Sequence, residues 1–237
     1  MTRGIITIVW GDKGKLPLDR LLRSTARHHP ELSHRIIEID GAAPGPHALL
    51  EKARMFDRSP FEETLYLDAD TVVLGRLDFG FEKAARYGVA LSICENPWAR
   101  RYHKIFRGDE IEYNTGVIFF TRAAEPLFDA WKDGAQSLDA SILYTQGGEV
   151  KIMPANDQGS FAAALERTGV NPFVLPCNWN FRPQWQKSFF GPLKIWHHYA
   201  DPPAYIEAVT EFYAQPNHVV QYHDATAHLA DLPPPPR

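Results

Sequence analysis

Apolar residues follow two rhythms along the first half of the chain. GIITIVW (4–10), HRIIEID (34–40) and ETLYLDAD (63–70) are short apolar runs rich in β-branched residues, which predicts strands buried on both faces. LPLDRLLRSTARHH (16–29) and HALLEKARMFDR (47–58) space their apolar positions three and four apart, which predicts helices. Pro17 stands near the start of the first helix, where a missing N–H costs nothing. GDKG (11–14) and GAAPGP (41–46) read as loops. Strand, helix, strand, helix, strand implies an α/β fold with a mostly parallel central sheet flanked by helices. Ligands of such sheets bind beyond the carboxyl ends of the strands, where GDKG and DAD both lie.

The pattern continues through a strand, TGVIFF (115–120), and a helix, AEPLFDAWKDG (124–134), with Pro126 at its start. In NDQGSFAAALERTG (156–169), Phe161, Ala164, Leu165 and Thr168 keep helical spacing and Gly169 is a natural stop. Residues 171–203 are dense in Pro, Asn and aromatics and read as loops and short strands packed around something. With 237 residues and 44% hydrophobic content, one domain over 1–237 has ample core; PPPP near the end makes 232–237 a frayed tail.

A formal charge of -4 speaks against nucleic acid as a partner. No apolar run is long enough for a leader or a membrane span. Cys94 and Cys177 lie far apart without metal-binding spacing, which suits reduced thiols and a cytoplasmic location.

The candidate chemistry lies in TLYLDADTVVLG (64–75). Residues two apart on a strand point the same way, so Asp68 and Asp70 would face each other if the strand persists. Two adjacent carboxylates repel unless a cation intervenes. Oxygen ligands so placed suit Mg²⁺ or Mn²⁺, which favour a diphosphate as co-ligand. DADTV also fits the phosphatase signature of haloacid-dehalogenase-like enzymes, with Asp68 as nucleophile and Asp70 as acid–base. That signature normally follows the first strand, and no later lysine with an acidic pair completes it here. A nucleotidyltransferase would show a glycine-rich, basic loop after the first strand, which GDKGK only faintly echoes. A catalytically inactive sugar-nucleotide binder is a further alternative.

TLYLDADTVVLG, YNTGVIFF (113–120), NDQGSFAAAL (156–165) and KIWHHYADPP (194–203) occur in that order. Together they resemble the glycogenin-like and lipopolysaccharide galactosyltransferase-like nucleotide-sugar transferases, which have the GT-A fold. The resemblance implies a hexosyltransferase moving sugar from a UDP-sugar to a hydroxyl acceptor, saccharide or protein, with retention of configuration.

The roles of individual residues are likewise what the resemblance implies. Asp68 and Asp70, with Ala69 between them, would hold Mn²⁺ or Mg²⁺ against the donor diphosphate. A third ligand comes from a family pattern resembling H-x-x-G-x-x-K-P-W, which aligns with His197; His198 is the out-of-register alternative. Pro203 or Ala204 stands where the family has a phosphate-binding lysine. Lys52 would lie near the nucleotide and donor sugar, and the loop holding Val9, Trp10, Gly11 and Asp12 would line the base and ribose pocket. Asn114 would touch the donor sugar or the acceptor side, with Gly116 allowing close approach. Asp157 or Gln158 would lie beside the anomeric carbon, although Asp157 also suits a helix N-cap. Trp179 and Asn180 are candidate acceptor contacts, with aromatic core packing the equal alternative. The basic, aromatic stretch WARRYHKIFR (98–107) is either a solvated helix face or a lid or contact that would suit an acidic acceptor.

Overall fold

A computed structural model describes residues 2–39, 46–95, 111–138, 141–153, 156–186 and 191–213. Residues 41–45 of the predicted loop GAAPGP and the tail 232–237 fall outside them, as does WARRYHKIFR, while Pro46 begins a helix.

Three strands and their helices follow the apolar rhythm. β1 (Arg3–Trp10) and β2 (Ser33–Ile39) flank helix α1 (Gly11–His28), while α2 (Pro46–Ala53) and the single turn α3 (Met55–Arg58) lead to β3 (Glu63–Leu67). β4 (Thr71–Val73), α4 (Asp78–Tyr87), β5 (Val89–Ile93), β6 (Tyr113–Thr121) and α5 (Glu125–Ser137) follow. After a hairpin, β7 (Ile142–Gln146) and β8 (Glu149–Met153), come α6 (Asp157–Thr168), β9 (Phe173–Leu175), β10 (Ile195–His197) and α7 (Ala204–Tyr213).

GDKG is not a loop. It forms the first turn of α1, which starts directly after β1 from Gly11 at φ +55° and carries Pro17 in its interior. Gly14 permits this, because a Cβ there would lie 2.7 Å from Val9 Cγ1. The helix end therefore packs against the strand it leaves, and that packing outweighs the local loop signal.

The main sheet has the order β2-β1-β3-β6-β5-β9. β1 pairs parallel with β2 and β3, and β5 parallel with β9, while β6 runs antiparallel to both its neighbours. The sheet is thus mostly parallel, with one reversed strand at its centre. Alternation divides the core between its two faces. Ile6, Tyr66, Ile118 and Phe120 pack with Phe128, Trp131 and Phe161 of α5 and α6. Ile5, Leu65, Leu67 and Phe119 pack with Leu21 of α1 and Phe81 of α4. A separate two-stranded ladder joins β4 to β10, pairing His197 with Thr71. That small ladder places the candidate site beyond the carboxyl end of β3. No described helix is long and apolar enough to cross a membrane.

Candidate functional site

β3 is buried along its whole length and ends at Leu67, one residue before the carboxylates. Asp68 keeps one sheet bond, its N–H donating to the Gly116 carbonyl at 2.8 Å. The chain then turns, closed by the Thr71 N–H and hydroxyl, which both donate to the Asp68 carbonyl at 3.1 and 2.8 Å. Asp68 and Asp70 therefore converge through a turn, and the expected strand continuation is corrected. The β4–β10 ladder lays His197 over them, with Nε2 3.3 Å from Asp70 Oδ1 and 3.8 Å from Asp68 Oδ2. His198 turns away, its Nδ1 accepting from the Ala200 N–H at 3.0 Å and its own N–H donating to the Asp70 carbonyl. Burial opposes ionisation of Asp70, but the His197 hydrogen bond and charge outweigh it and hold its carboxyl at about 2.

One ligand atom from each of Asp68, Asp70 and His197 lies within 4.8 Å of the others. Two carboxylates and an imidazole nitrogen form a donor set suited to a divalent cation such as Mn²⁺ or Mg²⁺. Gly116 opens the space, since a Cβ there would lie 2.6 Å from Asp68 Oδ2 and closer still to His197 Cε1. The residues present thus fit a metal. Another cluster, His29, Glu31 and Asp78, is already filled. Arg76 bridges its two carboxylates, and His29 Nε2 accepts from the Leu77 N–H.

Lys52 is buried on α2 and binds two carboxylates, Asp68 Oδ1 at 3.1 Å and Asp157 Oδ2 at 2.8 Å. Burial alone would lower its pKa, but the two charges more than reverse that and keep it cationic. Burial likewise opposes ionisation of Asp157, yet Lys52 and the Thr115 hydroxyl hold its pKa below the usual range. Tyr66, two residues before Asp68, donates its hydroxyl to Asp68 Oδ1 at 2.6 Å. The N-cap of α6 is Asn156, whose side chain accepts from the N–H groups of Gln158 and Gly159, so the capping role considered for Asp157 is corrected. Its carboxylate is thereby free for Lys52.

Two clefts meet at this wall. One, of about 410 Å³, is lined by Val9, Trp10, Gly14, Pro17 and Ala69. The other, of about 310 Å³, is lined by Asn114, Gln158, Arg182, Trp185 and His198. Lys52, Asp68, Asp70, Asp157 and Tyr199 line both. Gly11 stands exposed at the strand–helix junction, and Asp12 lies in the first turn of α1 with its side chain outside the described set. For Trp179 the structure favours the core-packing alternative: it is buried against Phe119 and Phe79. Asn180 is also buried, its Oδ1 2.8 Å from His197 Nδ1.

Sequence reasoning missed Tyr66, Thr115, Arg182, Trp185, Tyr199 and Arg20. Tyr66 had a signal, because a residue two before Asp68 shares its face. Arg20 had none. It reaches from α1 to donate to the carbonyls of Tyr199, His198 and Asp70, tying the two ligand-bearing turns together.

No protein-family model matches the sequence, and no curated protein does. Solved structures match the fold. Mouse xyloside xylosyltransferase 1 superposes with a TM-score of 0.56 at 16% identity, over 86% of this chain and 99% of its own. The galactosyltransferase LgtC, solved with donor and acceptor sugar analogues, superposes with a TM-score of 0.53 at 14% identity, over 84% of this chain and 88% of its own. The fold is therefore the GT-A fold of these glycosyltransferases.

Proposed function

We propose that the protein is a metal-dependent glycosyltransferase that moves a hexose from a UDP-sugar to a hydroxyl acceptor, saccharide or protein. One observation carries the reading: Asp68, Asp70 and His197 converge on a single point at the wall shared by two clefts. A donor and an acceptor need adjoining pockets, and a diphosphate leaving group needs a cation where they meet. Bound there by those three residues, Mn²⁺ or Mg²⁺ would supply Lewis-acid stabilisation of the departing diphosphate.

The remaining roles follow from position. The cleft beside Val9 and Trp10 takes the nucleotide, whose base and ribose lie against the apolar end of β1. Lys52 neutralises Asp68 and Asp157 and so holds both carboxylates at the wall. Asp157 offers negative charge where the sugar acquires oxocarbenium character. Trp185 and Tyr199 are exposed aromatics flanking the second cleft, suited to the apolar face of an acceptor sugar. With Pro203 or Ala204 in place of the family's lysine, the diphosphate depends more heavily on the metal. Retention of anomeric configuration is the outcome that the sequence resemblance implies.

A thermal-shift panel of nucleotides and nucleotide sugars, each with and without Mn²⁺, tests the reading. UDP and at least one UDP-sugar should raise the melting temperature only when Mn²⁺ is present. No shift with any nucleotide, or an equal shift without metal, contradicts it.

A further inference from the structure

His197 Nδ1 is the end of a line of buried side chains running away from the two carboxylates. It sits 2.8 Å from Asn180 Oδ1. Asn180 Nδ2 donates to Asn114 Oδ1 at 2.8 Å, Asn114 Nδ2 donates to Gln158 Oε1 at 2.9 Å, and Gln158 Nε2 donates to Glu112 Oε1 at 3.1 Å. All five residues are buried, none more than 8% exposed.

The direction of every bond is fixed by one backbone donor. The backbone N–H of Gly116 donates to Asn114 Oδ1 at 3.0 Å. A backbone N–H can only donate, so the atom it meets is the amide oxygen and the Asn114 amide has one orientation. The Asn180 nitrogen must then face that oxygen, which turns the Asn180 oxygen towards His197. Its Nδ1 accordingly carries a proton, which leaves Nε2, the nitrogen facing Asp68 and Asp70, as the one that would give up its proton to a cation. At the far end Glu112, an acceptor when ionised, takes the last donated hydrogen. Donors aligned head to tail polarise one another, and a terminal anion strengthens the series.

We propose that Glu112 is a positioning residue for the metal. Acting through Gln158, Asn114 and Asn180, whose amides the Gly116 N–H already orients, it raises the basicity of His197 Nε2. This rests on the metal reading above. It also gives Asn114 and Gln158 a role other than sugar contact: their amides are links in the relay. Partners of a ligating histidine usually change metal affinity 10–100-fold when removed. A relay through three amides belongs at the lower end of that range, because charge influence weakens with each link.

The test titrates the protein with Mn²⁺ alone and follows the free ion by electron paramagnetic resonance. E112Q keeps the shape of the side chain and removes its charge. It should raise the Mn²⁺ dissociation constant about 10-fold. In turnover the loss should fall on the Mn²⁺ concentration needed for half-maximal rate rather than on kcat at saturating metal. Imidazole ¹⁵N shifts should show Nδ1 protonated in both the wild type and E112Q, because the Gly116 N–H orients the amides in both.

N180D provides a second variant: one carboxylate oxygen set against Nδ1 supplies the anion directly, while the other can no longer donate to Asn114 Oδ1, so the relay beyond it is cut. Its Mn²⁺ affinity should match or exceed that of the wild type. An unchanged dissociation constant in E112Q, or a loss in N180D equal to that in E112Q, overturns the relay alone. Wild-type protein that binds no Mn²⁺ overturns the metal reading and the relay with it.

Discussion

At Gly116 a single methyl group decides whether Asp68 and His197, two of the proposed metal ligands, can converge. Most glycines are tolerated for backbone freedom; this one is needed for space, because the side chains it faces are Asp68, Asn114 and His197. Gly116→Ala should cost about 1–3 kcal/mol of stability, as overpacking does. It should weaken Mn²⁺ binding more than that cost suggests, since the groups forced to move are ligands. Calorimetric titration with Mn²⁺ and a thermal melt on the same variant would separate the two effects. Equal metal affinity in Gly116→Ala would show that the ligands do not meet where the structure puts them. Much of this was legible at the level of residue type. An acidic pair after an apolar run marked the site, and the motif resemblance pointed to His197. What the sequence could not reveal is which partner each side chain takes. The capping oxygen belongs to Asn156 although Asp157 beside it is equally suited, and only the position of Lys52 decides between them.

Elements were legible where one rhythm dominated and illegible where packing overrode it. The continuous apolar strands and the spacing of α5 and α6 announced themselves, whereas the reversal of β6 did not. Alternation records which face a side chain takes, not the direction in which its strand runs. Residues 11–14 looked like a loop because glycine is a local signal, while Gly14 serves close packing of α1 on Val9. The same α1–β1–β2 junction carries a pH dependence. His34 on β2 meets Thr7 Oγ1 at 2.9 Å and Thr25 Oγ1 at 3.2 Å, and burial pushes its imidazole down to about 4 from the ordinary 6.5. The fold therefore favours the neutral ring. The unfolded chain binds the extra proton between these values, so stability is fully present above about 6.5 and falls as pH drops towards 4. The loss attributable to this group is at most about 3 kcal/mol. Urea unfolding at pH 7 and pH 4.5 should show the decline, and His34→Gln should remove a substantial part of it. A pH profile identical in the variant would place the acid sensitivity elsewhere.

In the molecule as a whole, α1 and the β4–β10 ladder hold two clefts against one acidic wall, and Arg20 braces that junction from behind. The GT-A fold does not by itself fix the reaction, because function resides in the site. Asp68 invites two chemistries. As a metal ligand it stabilises a departing nucleotide diphosphate; as a nucleophile it would become phosphorylated. Its environment favours the first, since both oxygens are engaged: Tyr66 binds Oδ1, Lys52 binds Oδ1 and Oδ2, and Oδ2 also lies 3.8 Å from His197 Nε2. The most direct measurement is release of UDP from UDP-sugars, followed with and without Mn²⁺ in the wild type and in Asp70→Asn. The account predicts Mn²⁺-dependent release that is slow without an acceptor and is lost in Asp70→Asn. Release that needs no metal and survives Asp70→Asn would contradict it, as would hydrolysis of simple phosphomonoesters with phosphate trapped on Asp68.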